Sequence, residues 1–220
     1  MDALYAKLVT QFKKGDIQLK ILRGFGLLVN AGAGPQVQLN QLQANPVGGT
    51  LYPGQQLVAQ TDAYIFCGAA MGVVKAATAA ALKSADRFPY ADIYTFPLAG
   101  NEGASVNSFF KSGLVSLYVN TEPVMQPLSV DYFEQVPILQ AAAGTRAATQ
   151  PFNERFNVLP DDFGIAGGNQ NYFNFDLTNC DVSAISPSGA NYVWVETIGF
   201  NILNGNTGAI NMAKQNQICV

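Results

Sequence analysis

Along this chain the spacing of apolar residues changes once, at Gly15. Before it, Met1, Leu4, Tyr5, Leu8, Val9 and Phe12 recur at the i, i+3, i+4, i+7 spacing of one helical face, with Lys7, Lys13 and Lys14 on the other side. Asp2 suits the N-cap of that helix and Gly15 its C′ position. After Gly15 the period drops to two. Ile17 to Arg23 (IQLKILR) alternates apolar and polar residues as a strand with one buried face does. Gly24 and Gly26 are expected to break that strand before Leu27 to Val29 resumes it.

Asn30 to Pro35 is glycine-rich and follows a strand, but Gln36 to Leu42 then alternates and opens no helix. That excludes a dinucleotide fingerprint and predicts a hairpin turn into a second strand. Turn residues at 46–50 and 52–55 precede a long apolar run, Gln56 to Val74, continued by Ala76 to Leu82. Asp62 and Lys75, with an Ala and Gly composition, argue against a membrane span. The run predicts a buried strand, Ala63 to Cys67, followed by a second strand or an Ala-rich helix.

A turn at Arg87 to Tyr90 leads to a short strand, Ala91 to Phe96. Pro97 to Ala104 is loop, and Ser105 to Lys111 forms one or two helical turns. Gly113 opens LVSLYVN, a strand that passes through the turn Asn120 to Pro123 into Val124 to Phe133. Val136 to Leu139 is a further short edge strand, and Gly144 to Gly168 reads as a long irregular loop. Tyr172 to Leu177 alternates strictly. Pro187 to Gly189 is a turn, Asn191 to Leu203 is a strand pair or one bent strand, Asn204-Gly205 is a turn, and Ala209 to Val220 is a final edge or tail. About twelve to fourteen short strands place the body with the sandwiches and barrels. A weak echo between 62–67 (DAYIFC) and 190–195 (ANYVWV) is what a duplicated barrel would leave.

Composition narrows the function. Charged residues make up only 12% of the chain, and Asn with Gln outnumber the 12 Lys and Arg plus 15 Asp and Glu. A polar surface poor in charge suits burial against copies of itself, because an amide is far cheaper to desolvate than an ion. A net charge of −3 disfavours specific nucleic-acid binding. There is no histidine, which removes the commonest general base and most transition-metal sites. Cys67, Cys180 and Cys219 are widely spaced, so they indicate neither zinc nor a disulfide framework. The N-terminus lacks the apolar core of a signal peptide, so synthesis in a reducing cytoplasm is expected.

No constellation carries catalysis. Asp161-Asp162 lacks the ligand spacing of a calcium loop, Asp131 and Glu134 flank two aromatics without a demonstrable cleft, and no serine stands in a nucleophile elbow. The expectation is no enzyme, no cofactor and no metal. Phe109-Phe110, Tyr132-Phe133, Tyr172-Phe173-Phe175 and Tyr192-Trp194 are read as core, with an exposed carbohydrate platform as the rival. The candidate contact residues are Leu4, Lys7, Leu8, Phe12, Lys13 and Lys14, whose apolar and basic faces suit an anionic lipid surface or a protein interior.

The amphipathic N-terminal segment, the histidine-free and amide-rich many-stranded body, and the stretch FFKSGLVSLYVNTEPV (Phe109 to Val124) together resemble the major capsid proteins of icosahedral, internal-membrane phages, the double-jelly-roll coats of corticoviruses and Flavobacterium-infecting phages. The resemblance implies an all-β jelly-roll fold, two upright eight-stranded barrels in preference to one, with the N-terminal helix at 1–15 and barrels at 16–130 and 131–220. It also implies a homotrimer that builds a capsid lattice in the virion. The helix would face the interior or the membrane, with minor capsid proteins and internal membrane lipid as partners. The reading from another class is a β-sandwich adhesin or carbohydrate-binding module.

Overall fold

The computed structural model describes residues 15–28, 34–39, 57–75, 102–133, 156–159, 163–183 and 191–205. The expected N-terminal helix, the strands at 91–96 and 136–139, the segment 76–82 and the tail at 209–220 lie outside them. So do Leu4, Lys7, Leu8, Phe12, Lys13 and Lys14.

The described residues are mostly strand, in two five-stranded antiparallel sheets. The elements in chain order are β1 (Ile17–Leu27), β2 (Gln36–Gln38), β3 (Ala63–Lys75), α1 (Glu102–Ser112), β4 (Leu114–Val119), β5 (Glu122–Pro123), β6 (Leu128–Ser129), a 3-10 turn (Val130–Phe133), β7 (Asn157–Val158), β8 (Gly164–Ala166), β9 (Asn171–Asp176) and β10 (Asn191–Ile202). The first sheet runs β1-β10-β3-β7, with β8 also on β3. The second runs β2-β9-β4-β5, with β6 also on β4.

Taking β5 with β6, and β7 with β8, as interrupted strands, the ten strands fill eight positions that pair as a folded hairpin would: first with eighth, second with seventh, third with sixth, fourth with fifth. That nested order is an all-β arrangement in which each sheet mixes early and late strands. β1 and β3 both pair with β10, and β2 and β4 both pair with β9, so strands from either side of 130 share both sheets. The two echo segments lie on β3 and β10, adjacent antiparallel strands of one sheet, and not at matching places in two barrels.

Several local expectations change for physical reasons. Gly24 and Gly26 do not break β1; a Cβ on Gly24 would lie 2.5 Å from Val37 Cγ1, and one on Gly26 3.0 Å from the Gln36 carbonyl, so glycine lets β1 close on β2. Ala63 to Lys75 is one strand, with no helix after Cys67. It stays in register with the core through a bulge: Ile198 opposes Gly68 and Gly199 opposes Phe66, which leaves Cys67 unopposed. The extra residue resets the alternation, so that Tyr64 and Phe66 on one side of it, and Ala69, Met71 and Val73 on the other, all face the main core. α1 begins at Glu102, inside the expected loop, and ends at Gly113, whose N–H donates to the Phe109 carbonyl. Val124 to Phe133 holds only the two-residue β6 and the 3-10 turn. The expected loop 144–168 contains β7 and β8, held by ladders to β3.

Between the sheets lies one large cluster of buried residues. Edge-to-face ring pairs cross it, Tyr64 with Phe66 at 5.0 Å and Phe66 with Phe173 at 6.1 Å, while Phe109 from α1 stacks on Phe175 at 6.0 Å. α1 therefore plugs the space between sheets with Val106, Phe109 and Phe110.

Because both sheets contain strands from both halves of the chain, urea unfolding should show one cooperative transition, and two separable transitions would contradict that interleaving. Phe173→Ala should cost about 3–5 kcal/mol and Gly24→Ala about 1–3 kcal/mol, each read as a shift of that one midpoint.

Candidate assembly surface

Strand alternation gives the first sheet an outer face that is apolar as well. At one end Phe25, Ala70, Val74, Tyr192 and Trp194 form a buried cluster, with Leu27 and Phe156 packed against it. At the other end Ile17, Ala63, Ile65 and Ile202 form a second, with Phe200 alongside. Between them the face opens. Leu19 is 56% exposed, and Ile21, Ile198 and Phe200 are half-buried. The register places Leu19 opposite Phe200 and Ile21 opposite Ile198, so these four make one patch of adjacent cross-strand pairs.

An ion pair borders the patch. Arg23 stands opposite Glu196 in the ladder, and its Nη2 donates to Glu196 Oε1 at 2.9 Å, with the carboxylate wholly buried. The pair neutralises both charges inside the sheet face, so neither guards the apolar patch.

Beneath the same end of the sheet lies a polar clasp built on Asp62. Its Oδ2 accepts from Asn201 Nδ2 at 2.9 Å, and its Oδ1 accepts from Thr61 Oγ1 at 3.1 Å and from the Asn204 N–H at 3.2 Å. Its carbonyl accepts from the Gly167 N–H. One residue thus ties the start of β3 to the ends of β8 and β10. Burial disfavours its charge, but the bonds from Asn201, Asn204 and Thr61, with Lys20 nearby, hold the carboxyl below its ordinary value. Lys20 Nζ donates to the Leu57 carbonyl at 3.1 Å, and burial lowers its pKa against the pull of Asp62. Tyr64 Oη donates toward the Lys20 carbonyl at 2.9 Å and lies 3.2 Å from the Thr197 carbonyl, which knits β1, β3 and β10 together.

The outer face of the second sheet differs. Tyr118 and Tyr172 oppose each other in register and stack at 5.2 Å with planes 3° apart. Gln38 opposes Tyr172, and Asn174 lies between Gln36 and Ser116. Burial, then the neighbouring Tyr118, raises the Tyr172 pKa. Rings stacked on each other present edges and hydroxyls to solvent.

Of the aromatics read as core, Phe109, Phe110, Phe133, Phe173, Phe175, Tyr192 and Trp194 are buried, with Tyr192 and Trp194 on the outer face of the first sheet and not between the sheets. Tyr132 is exposed and donates its hydroxyl to the Val158 carbonyl at 2.6 Å. Asp131 is exposed on the 3-10 turn, while Glu134 and Asp161-Asp162 lie outside the described residues. Cys67 and Cys180 are not joined in disulfides, and burial, with Asp176 nearby, pushes the Cys180 thiol up to about 11, which suits an inert core cysteine. Among the described residues no group of acids and cysteines could hold a metal, and no helix is long and apolar enough to cross a membrane. The alternation of IQLKILR marked a strand, but its apolar residues Ile17, Leu19 and Ile21 fall on the outer face, where Leu19 is exposed, and Lys20 falls on the inner side, because the neighbouring strand and not the period decides which face is covered. No family model and no curated protein matches the chain.

The Asp62 clasp has a signed pH dependence. A carboxyl depressed in the folded state contributes its full stability above the unfolded value, taken as 3.8, and loses it as pH falls from there through the lower folded value. Unfolding midpoints measured between pH 6 and pH 2 should fall through that window, and Asp62→Ala should flatten that part of the slope. At neutral pH the same variant should lose about 1–3 kcal/mol, because it leaves the Asn201 amide and the Asn204 N–H without their acceptor.

Proposed function

We propose that this chain is a structural coat subunit, a jelly-roll protein that self-associates, as trimers, into an icosahedral virion shell of the kind built around an internal membrane. The observation that carries the reading is the open apolar patch of Leu19, Ile21, Ile198 and Phe200 on the outer face of a closed, charge-poor roll. Apolar area left open on the outer face of a sheet is what a subunit retains for its neighbours. The scarcity of charge supports it, since few ions would have to be desolvated on assembly. In this reading Leu4, Lys7, Leu8, Phe12, Lys13 and Lys14 turn inward, toward membrane lipid or minor capsid proteins. The protein acts without catalysis and without a cofactor.

The tyrosine stack favours one other reading, a glycan-binding module, because two partly exposed phenols stand beside amide side chains. Size-exclusion chromatography with light scattering separates the two. A trimer or larger shell is expected, and a monomer that binds glycans would overturn the coat reading. Deleting residues 1–14 should leave the roll folded and abolish flotation with anionic vesicles. Flotation equal to that of the full chain would remove the helix as the lipid contact.

A further inference from the structure

We infer that Lys20, Asn201 and Asp62 form a self-modifying site, in which the lysine amine displaces ammonia from the asparagine amide and ties β1 to β10 by an isopeptide bond. The register sets the three residues on one diagonal of the sheet's inner face. Lys20 stands opposite Gly199, and Asn201 is two residues further along β10, so lysine and asparagine are diagonal neighbours on adjacent strands. Asn201 in turn stands opposite Tyr64, with Asp62 two residues earlier in the chain. The asparagine therefore lies between an amine on one strand and a carboxylate on the other. The Tyr64 ring runs against Gly199 and its hydroxyl donates to the Lys20 carbonyl, which holds the lysine backbone beside β10.

Each group stands in the state its part requires. Asn201 is only 2% exposed, so bulk water is kept from its amide. Its Nδ2 donates to Asp62 Oδ2 at 2.9 Å, whereas its Oδ1 is buried without a partner among the described residues. A buried acceptor left without a donor is costly, and an amine carries N–H bonds to spare. Lys20 can supply one, because Nζ donates to the Leu57 carbonyl at 3.1 Å and its unbranched stem can turn toward Asn201. Burial lowers the Lys20 pKa against the pull of Asp62, which favours the neutral nucleophile. Burial disfavours the Asp62 charge, but the bonds from Asn201, Asn204 and Thr61 keep the carboxyl ionised and able to take a proton.

The step balances within the chain. The Nζ lone pair adds to Asn201 Cγ, and the proton that Nζ sheds passes to Asp62. Asp62, already bonded to the leaving nitrogen, returns that proton to Nδ2; the Cγ–Nδ2 bond breaks and ammonia departs. One amide replaces another, the carboxylate is regenerated, and no oxidant or cofactor is consumed. Fixed placement of amine and amide removes the entropy of an encounter, and exclusion of water limits hydrolysis. The bond makes the meeting of β1 with β10 covalent. It holds whether or not the chain is a coat subunit.

Intact-mass measurement on the full-length chain, incubated after purification, tests it. The wild-type chain should be lighter than its sequence by one ammonia, and digestion should yield a branched peptide joining the segments that carry Lys20 and Asn201. Lys20→Arg keeps the charge and should restore the full mass. Asp62→Asn keeps an acceptor for Asn201 but removes the base, and should slow bond formation by about a hundredfold or more. The wild-type result decides even if a variant does not fold. A wild-type chain of full mass, or a loss of water from a bond between Lys20 and Asp62, overturns the proposal. So does an ammonia loss that persists in Lys20→Arg, which is the mark of a succinimide at Asn204-Gly205.

Discussion

Twelve residues near the C-terminal end, β10, hydrogen-bond on both sides to strands far earlier in the chain, Ile202 meeting Ile17 in β1 and Ala63 in β3. Everything else in the roll depends on that closure. Until β10 arrives, β1 has no described partner in its sheet, and Trp194 and Val195 are missing from the outer and inner faces that they fill. A fold whose first and last strands must meet accepts loop-closure entropy before it gains any burial, and such non-local pairing is intrinsically slow. The length of the ladders and the burial of β10 residues on both faces compensate for that cost.

The closure tolerates few errors of register, and two local devices hold it. The bulge at Cys67 lets β3 change parity halfway along, so a strand apolar on both sides can serve the inter-sheet core at both ends. At the same place Gly199 runs against the Ile65 carbonyl and the Tyr64 ring, where any side chain would intrude. The Asp62 clasp then fixes the end of the sheet, by a carboxylate whose partners come from the loop before β3 and from the end of β10. A slip of one residue would remove Asn201 from that carboxylate and leave a buried charge poorly satisfied, so the clasp penalises the wrong register more than it stabilises the right one.

IQLKILR announced a strand but not its faces, because Ile17, Leu19 and Ile21 lie on the outer side of the sheet and Lys20 on the inner. YFNFD in β9 was legible from sequence, since Phe173 and Phe175 face the core while Tyr172 and Asn174 do not. The long apolar strands were less so. β3 and β10 are buried on both faces, and a run without alternation cannot be told from a helix by period alone, which is why the second half of β3 read as either. β7 and β8 were illegible for the opposite reason: at two and three residues they have no period at all, and only the ladder of β3 makes them strands. The wiring was beyond reach too. A count of short strands is compatible with one roll or two, and what separates them is whether partners lie across the midpoint, a property of pairing and not of composition. The apolar patch shares that fate, since Leu19 and Phe200 become neighbours only once β1 and β10 are side by side.

Lys20 links the interior of the roll to its surface. A lysine on an edge strand ordinarily extends outward and keeps foreign strands away. Here the side chain belongs to the inner parity of β1, where the Leu57 carbonyl and Asp62 receive it, and burial has already made its charge less favourable. The same bonds that satisfy the polar end of the core therefore remove the guard from the edge. Of the residues beside it, Gln18 is neutral and Arg23 is committed to Glu196, which leaves the exposed Asp16 as the charge at that end of β1 among the described residues. An unguarded, partly apolar edge is a hazard for a protein meant to remain solitary, because any exposed strand can add to it. The internal electrostatics of one end of the roll and the character of its outer edge are then one constraint, set by where a single lysine is allowed to point.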